Sequence, residues 1–137
     1  MSAIRHQVSV DASSRTVWTA LTTEAGVTGW WAETARIDAR DGGRIVLSTR
    51  IGDALVEERG IFHQVRPTRT LEITWDSVGT SPTRGAKLQL QVGRGDGETK
   101  VHVVLSGGEG LEDEETRAQV DEFWKGALLR LRDVLEA

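Results

Sequence analysis

Three histidines, His6, His63 and His102, and a set of charged side chains embedded in apolar runs, Arg50, Glu57, Glu58, Arg59 and Glu72, are the residues of this 137-residue chain whose types could do chemistry. Histidines make a zinc site only when three or four ligands converge. Strand alternation argues against that here, because His6 shares a face with Val8 and Val10 whereas His102 opposes Val101 and Val103. The chain has no cysteine, which removes thiol nucleophiles, thiolate ligands and disulfides together and fits a reducing, cytoplasmic setting. No serine stands in a Gly-X-Ser-X-Gly elbow. The glycine patches at Gly42-Gly43, Gly93 to Gly97 and Gly107 to Gly110 lack the Lys-Ser/Thr ending of a phosphate loop and read as turns. The strand charges are different in kind. One that faces inward becomes a polar anchor or half of an acid–base pair, while solvent is the default because a buried unpaired charge is costly. Parity with Ile61 turns Arg59 and His63 inward, and Gly60 marks a bulge or a close backbone approach.

The aromatic side chains are the second group. Five tryptophans, Trp18, Trp30, Trp31, Trp75 and Trp124, and two phenylalanines make up all of them. Indoles spread along a chain converge on a core or line an apolar pocket. Trp18 and Trp31 are expected as packing residues, with Trp31 also bordering a pocket. Trp75 and Trp124 are expected to face each other across it, one from a sheet and one from a helix.

Composition sets what must position these groups. A chain of this length is one domain, residues 1–137, large enough for a single core. Net charge is −4, with no clustered Lys and Arg, so no nucleic-acid partner is expected. The N-terminal stretch lacks the apolar run of a signal peptide, and no window is apolar enough to span a bilayer.

Period-two alternation predicts strands over Ile4–Val10, Thr34–Ala39, Arg44–Arg50, roughly Val56–Val65, Leu71–Trp75, Leu88–Val92 and Val101–Leu105. Asp41-Gly42-Gly43, Gly52-Asp53, Arg66-Pro67-Thr68 and Arg94 to Gly97 supply the turns of an antiparallel meander. A short helix starts near Ser13 or Ser14, and a second spans Glu24 to Trp31, weakened by Gly26 and Gly29. The stretch Ser77 to Gly85 is too polar for strand and reads as a mobile loop over a cavity mouth. From Asp113 to Glu136, Val120, Trp124, Leu128, Leu131 and Leu135 recur every three or four residues, a long amphipathic helix with one broad buried face. Gly126 inside it costs helix stability, so its missing side chain is expected to serve close packing on the sheet or room for a ligand. The fold class is α+β: a curved antiparallel sheet wrapped around a long C-terminal helix, with two short helices after the first strand.

Val17-Trp18-Thr19-Ala20-Leu21-Thr22, Trp30-Trp31, Gly42-Gly43, the spacing of Gly60, Val65, Pro67, Leu71 and Trp75, then Thr99, Val101, Val103, Trp124, Leu128 and Leu131 carry a resemblance. Over roughly Val8 to Leu135 the chain resembles the heat-shock-protein-90 ATPase activator-like family of the START-like, helix-grip superfamily. That resemblance implies an apolar cavity between sheet and long helix. Eukaryotic co-chaperone members carry a separate N-terminal chaperone-binding domain, for which this chain is expected to have no room. The expected lining is Trp31, Arg59, Ile61, His63, Trp75, Leu88, Phe123, Trp124, Ala127 and Leu128, with no cofactor and no metal. Three functions follow: binding of a small hydrophobic or amphipathic molecule, as monomer or homodimer; a co-chaperone-like or stress-response module contacting a chaperone or other protein; or a cyclase/dehydratase-type enzyme on a lipophilic substrate. Binding leads, since a large apolar pocket is the default functional site.

Overall fold

A computed structural model describes residues 3–76, 81–95 and 97–137. Its seven strands form one antiparallel sheet in the order β1-β7-β6-β5-β4-β3-β2, with β1 at Ile4–Val10, β2 at Thr34–Ile37, β3 at Arg44–Ile51, β4 at Ala54–Arg66, β5 at Thr70–Trp75, β6 at Ala86–Arg94 and β7 at Thr99–Gly107. Strands β2 to β7 are the expected meander. The first strand closes on the last, Val8 opposite Val101 and Ile4 opposite Leu105.

Two short helices, α1 at Ser14–Thr22 and α2 at Glu24–Val27, carry the chain from β1 at one edge to β2 at the other. Ser13 caps α1 by accepting from the Thr16 N–H. Helix α2 stops at Val27, short of the expected Trp31, and turns deliver Trp30 and Trp31 into the core. The Trp30 indole N–H donates to the Ala20 carbonyl at 2.9 Å, which ties that turn to α1.

Helix α3, Glu114–Glu136, follows a 3₁₀ turn at Gly110–Glu112 that the sequence pattern did not predict. Asp113 caps it, and the Thr116 backbone N–H, then its hydroxyl, holds the Asp113 carboxyl below its ordinary range. Val120, Trp124, Ala127, Leu128 and Leu131 are its buried face, packed on the inner face of the sheet. His6 of β1 and Asp121 of α3 meet at 2.8 Å. Gly126 leaves room for the Arg130 guanidinium, from which a Cβ would stand 3.2 Å away. Among the described residues no helix is long and apolar enough to cross a membrane.

The inner face alternates as expected on most strands: Ile45, Leu47, Thr49 and Ile51 on β3, Leu71, Ile73 and Trp75 on β5, Leu88 and Leu90 on β6 are buried. Strand β4 corrects the parity argument. Its inward positions are Glu58, Gly60 and Phe62, all buried, so Arg59 and Ile61 point to the outer face, where Ile61 is only half covered. The register break lies between Phe62 and Gln64 and leaves His63 exposed, not inward. Gly60 is regular strand opposite Trp75; the indole and Ile73 occupy the space a side chain there would need.

Candidate functional site

From β5, the segment before β2 and α3, four indoles and a phenyl ring gather. Trp31 is the hub, its centroid 5.4 Å from Trp30, 5.3 Å from Trp124 and 6.4 Å from Trp75. Phe123 stands edge-on to Trp124 at 5.4 Å. Trp75 and Trp124 therefore do not face each other across a space: Trp31 stands against both. Such tilted and edge-to-face pairs add about 0.5–1.5 kcal/mol each beyond burial.

The cluster reaches solvent in a groove of about 410 Å³ with Trp30, Trp31 and Phe123 on its walls. Its rim carries two arginines and a glutamate. Arg50 holds Glu33 at 2.8 Å, and the Arg130 Nε donates to the Trp30 carbonyl at 3.1 Å with its guanidinium 5.7 Å from the Phe123 centroid. Of the expected lining, Trp31, Trp75, Leu88, Trp124, Ala127 and Leu128 lie on the inner side and Phe123 borders the groove. Arg59, Ile61 and His63 are on the other side of the sheet.

Sequence reasoning weighed Glu58 but favoured solvent for it. Its carboxyl is instead in the core, 3% exposed, next to inward Gly60 and across from Leu47 of β3. The Thr83 hydroxyl donates to Glu58 Oε2 at 2.5 Å. The Thr49 hydroxyl also favours the charged carboxylate, yet lies short of full hydrogen-bond geometry. Burial dominates both hydroxyls and pushes the Glu58 carboxyl above its ordinary range. Three more buried polar atoms stand without a partner among the described residues: the indole nitrogen of Trp31 and the hydroxyls of Thr49 and Ser81. Buried polar groups are paired in more than about nine cases in ten, so each of these three orphans is an exception. The loop from β5 to β6, where it is described, is thus folded inward through Ser81 and Thr83; Ser77 to Thr80 lie outside the described residues.

Glu72 shows the contrast. It lies on the outer face, covered by its neighbours' side chains, and although that covering raises its pKa, the hydrogen bonds from Lys87 at 2.7 Å and Gln89 at 3.3 Å win and lower it.

The Glu58 shift has a sign that stability measurements can read. An ordinary glutamate titrates near 4.5, and the folded chain holds this proton more tightly than the unfolded one. The stabilisation is fully present below pH 4.5 and is lost as pH rises through the raised native value. Glu58→Gln is therefore expected to be about 1–3 kcal/mol more stable than wild type at neutral pH, with the gain vanishing in acid. Urea unfolding from pH 4 to pH 8 checks it; a difference independent of pH would place the ionisation elsewhere.

Known structures share this architecture from end to end. The Aha1 dimer from Colwellia psychrerythraea, solved in solution, superposes with a TM-score of 0.83 at 23% identity over 99% of this chain and 97% of that one. DynU16, a protein of the dynemicin biosynthetic locus, gives 0.82 at 23% identity over 100% of this chain and 48% of its own, so this chain spans about half of DynU16. CalU16 from Micromonospora echinospora gives 0.76 at 21% over 97% of this chain and 65% of its own. These likenesses are of fold. No curated protein matches. The sequence itself carries the relationship: residues 11–136, from just after β1 to the end of α3, match the model of the "Activator of Hsp90 ATPase homolog 1-like protein" family, and the chain belongs to that family.

Proposed function

We propose that this protein binds a small, largely apolar molecule at the seam between the sheet and α3, entered through the groove beside Trp31. One observation carries the reading. The groove of about 410 Å³ is open and bordered by Trp30, Trp31 and Phe123 together with Glu33, Arg50 and Arg130, and Trp31 packs behind it on the buried Trp75 and Trp124. Ligand sites are typically concavities of about 300–1,000 Å³ with aromatic walls and few polar groups. Arg50 and Arg130 at the rim suit an amphipathic molecule whose polar end stays in water.

Titration of the folded protein with fatty acids, sterols, flavonoids and aromatic polyketides, followed by tryptophan emission, tests it. One class should give a saturable change, weakened about tenfold by Phe123→Ala, which trims a half-buried wall of the groove. No saturable response from any class would overturn binding and favour a protein-interaction role, to which the dimeric Colwellia relative lends support.

A second reading, acid–base catalysis on the bound molecule, is favoured by Glu58, a carboxyl in an apolar site with its proton held tightly. Mass spectrometry and chromatography of recovered ligand separate the two: unchanged mass and unchanged retention leave a binding protein, whereas an isomer of equal mass or a product that has lost water makes it an enzyme.

A further inference from the structure

Three ionisable side chains line the groove, Glu33, Arg50 and Arg130, and their charges do not cancel. Glu33 neutralises Arg50 across 2.8 Å. Arg130 has no carboxylate partner among the described residues. Its hydrogen bond runs from Nε to the neutral carbonyl oxygen of Trp30 at 3.1 Å, and its guanidinium carbon stands 5.7 Å from the centroid of the Phe123 ring. The chain carries a net charge of −4, so an uncompensated cation at the groove runs against the overall balance.

Those two contacts also fix the group. An exposed arginine ordinarily extends into water and keeps its rotamer freedom. Here Nε is tethered to the turn before β2, and the cation rests against an aromatic wall, where a ring face attracts it. Both contacts leave Nη1 and Nη2 without an acceptor among the described residues, at the border of a groove that Trp30, Trp31 and Phe123 line. The Nη1–Nη2 edge of a guanidinium offers two parallel N–H bonds at the spacing of the two oxygens of a carboxylate.

We propose that Arg130 is the recognition residue of the groove and that the ligand is an acid: a carboxylate on an apolar frame, the frame against Trp31 and Phe123 and the carboxylate on the Nη1–Nη2 edge. The inference rests on the binding reading above and gives it a ligand class. It also divides two arginines that look alike in the sequence, since Arg50 is occupied by Glu33 and Arg130 is available.

Two pairs of probes matched in shape test it: 2-naphthoate against 2-naphthamide, and octanoate against octanamide, titrated at neutral pH into the full ¹⁵N-labelled chain. The five indole N–H signals report affinity and place together. In at least one pair the acid should bind about tenfold more tightly than its amide and move the Trp31 signal. Arg130→Gln should bring that acid to within about twofold of its amide. Glutamine puts its amide nitrogen where arginine has Nε, so the bond to the Trp30 carbonyl can persist while the charge and the fork are lost, and near-UV circular dichroism establishes that the fold does persist. Glu33→Gln supplies a change of the opposite sign, which a damaged fold does not mimic: it releases Arg50 and should tighten the acid about threefold with the amide unmoved. Equal binding of acid and amide at the groove would overturn the anionic class and leave the binding reading standing. An acid preference that survives Arg130→Gln, or one that Glu33→Gln weakens or leaves unmoved, would do the same, because the carboxylate would then lie elsewhere. Failure of all four probes to move the Trp30 and Trp31 signals would overturn both.

Discussion

Gly60→Ala is expected to lower stability by about 3 kcal/mol and the melting temperature by about 10 °C, a large effect for one methyl group. A Cβ at position 60 would sit 2.8 Å from Ile73 Cγ2, 2.8 Å from Trp75 Cε3 and 2.9 Å from the Thr74 carbonyl oxygen. Two of those atoms belong to buried side chains and the third to the backbone of the neighbouring strand, so the crowding cannot be relieved by swinging a flexible tip. The φ angle of Gly60 is not positive, so alanine is acceptable there to the backbone and the whole cost is steric. Gly93→Ala on β6 is the control, because nothing lies within 4 Å of its Cβ position and its φ is likewise not positive. It should be neutral or add about 0.5–1 kcal/mol through a less entropic unfolded chain. Calorimetry of the two variants side by side decides: equal melting temperatures would mean that Trp75 does not fill the space opposite Gly60. The same displacement of Trp75 should alter the near-UV signal of the indole cluster.

Why position 60 is glycine was half legible in the sequence. The interruption of an apolar strand pattern pointed to a bulge or a close approach, and the structure settles on the close approach, with the register break three residues later at His63. The faces of β4 were not legible, for a physical reason. Val56, Ile61, Phe62 and Val65 put apolar side chains on both parities, so alternation selects no inner face, and choosing Ile61 over Phe62 sent Arg59 and His63 inward and Glu58 outward. Elements with one clean parity, such as Leu71-Ile73-Trp75 and Val101-Val103-Leu105, were assigned correctly. So was most of α3, whose stripe of Val120, Trp124, Leu128 and Leu131 is one buried face of a long helix, although Leu135 is only partly buried and Val134, expected to widen the stripe, is exposed. The polar group around Glu58 escaped because its members are joined only by tertiary structure: Thr83 lies 25 residues along the chain from Glu58 and in no periodic pattern with it. Gly126 went the other way. The expectation that packing on the sheet or room for a ligand needs its missing side chain is not met: the one atom a Cβ would crowd is the movable tip of Arg130, one turn on.

Trp124→Ala is expected to cost about 3–5 kcal/mol, a large share of the roughly 5–15 kcal/mol that holds a domain of this size together. Trp124 is 3% exposed and touches three other rings: Trp31 at 5.3 Å, Phe123 at 5.4 Å and Trp30 at 6.3 Å. Truncation opens a void at the point where α3 is pinned to the tryptophans that follow α2, and two neighbours, Trp31 and Trp30, are themselves fixed from loops that cannot close in on it without losing the Trp30 bond to Ala20. With a urea dependence of about 1–3 kcal/mol per molar, the unfolding midpoint should fall by about 2 M. A loss of that size makes the alanine variant a poor probe of ligand binding, since any missing affinity could be missing structure. Trp124→Phe keeps an aromatic ring against Trp31 and should cost no more than about 2 kcal/mol. If instead Trp124→Ala moved the midpoint by less than about 0.5 M, the ring would contribute little packing. In that case the space around it would already be loose enough to admit a ligand in the unsubstituted protein, and the indole would belong to the pocket wall, not to the core.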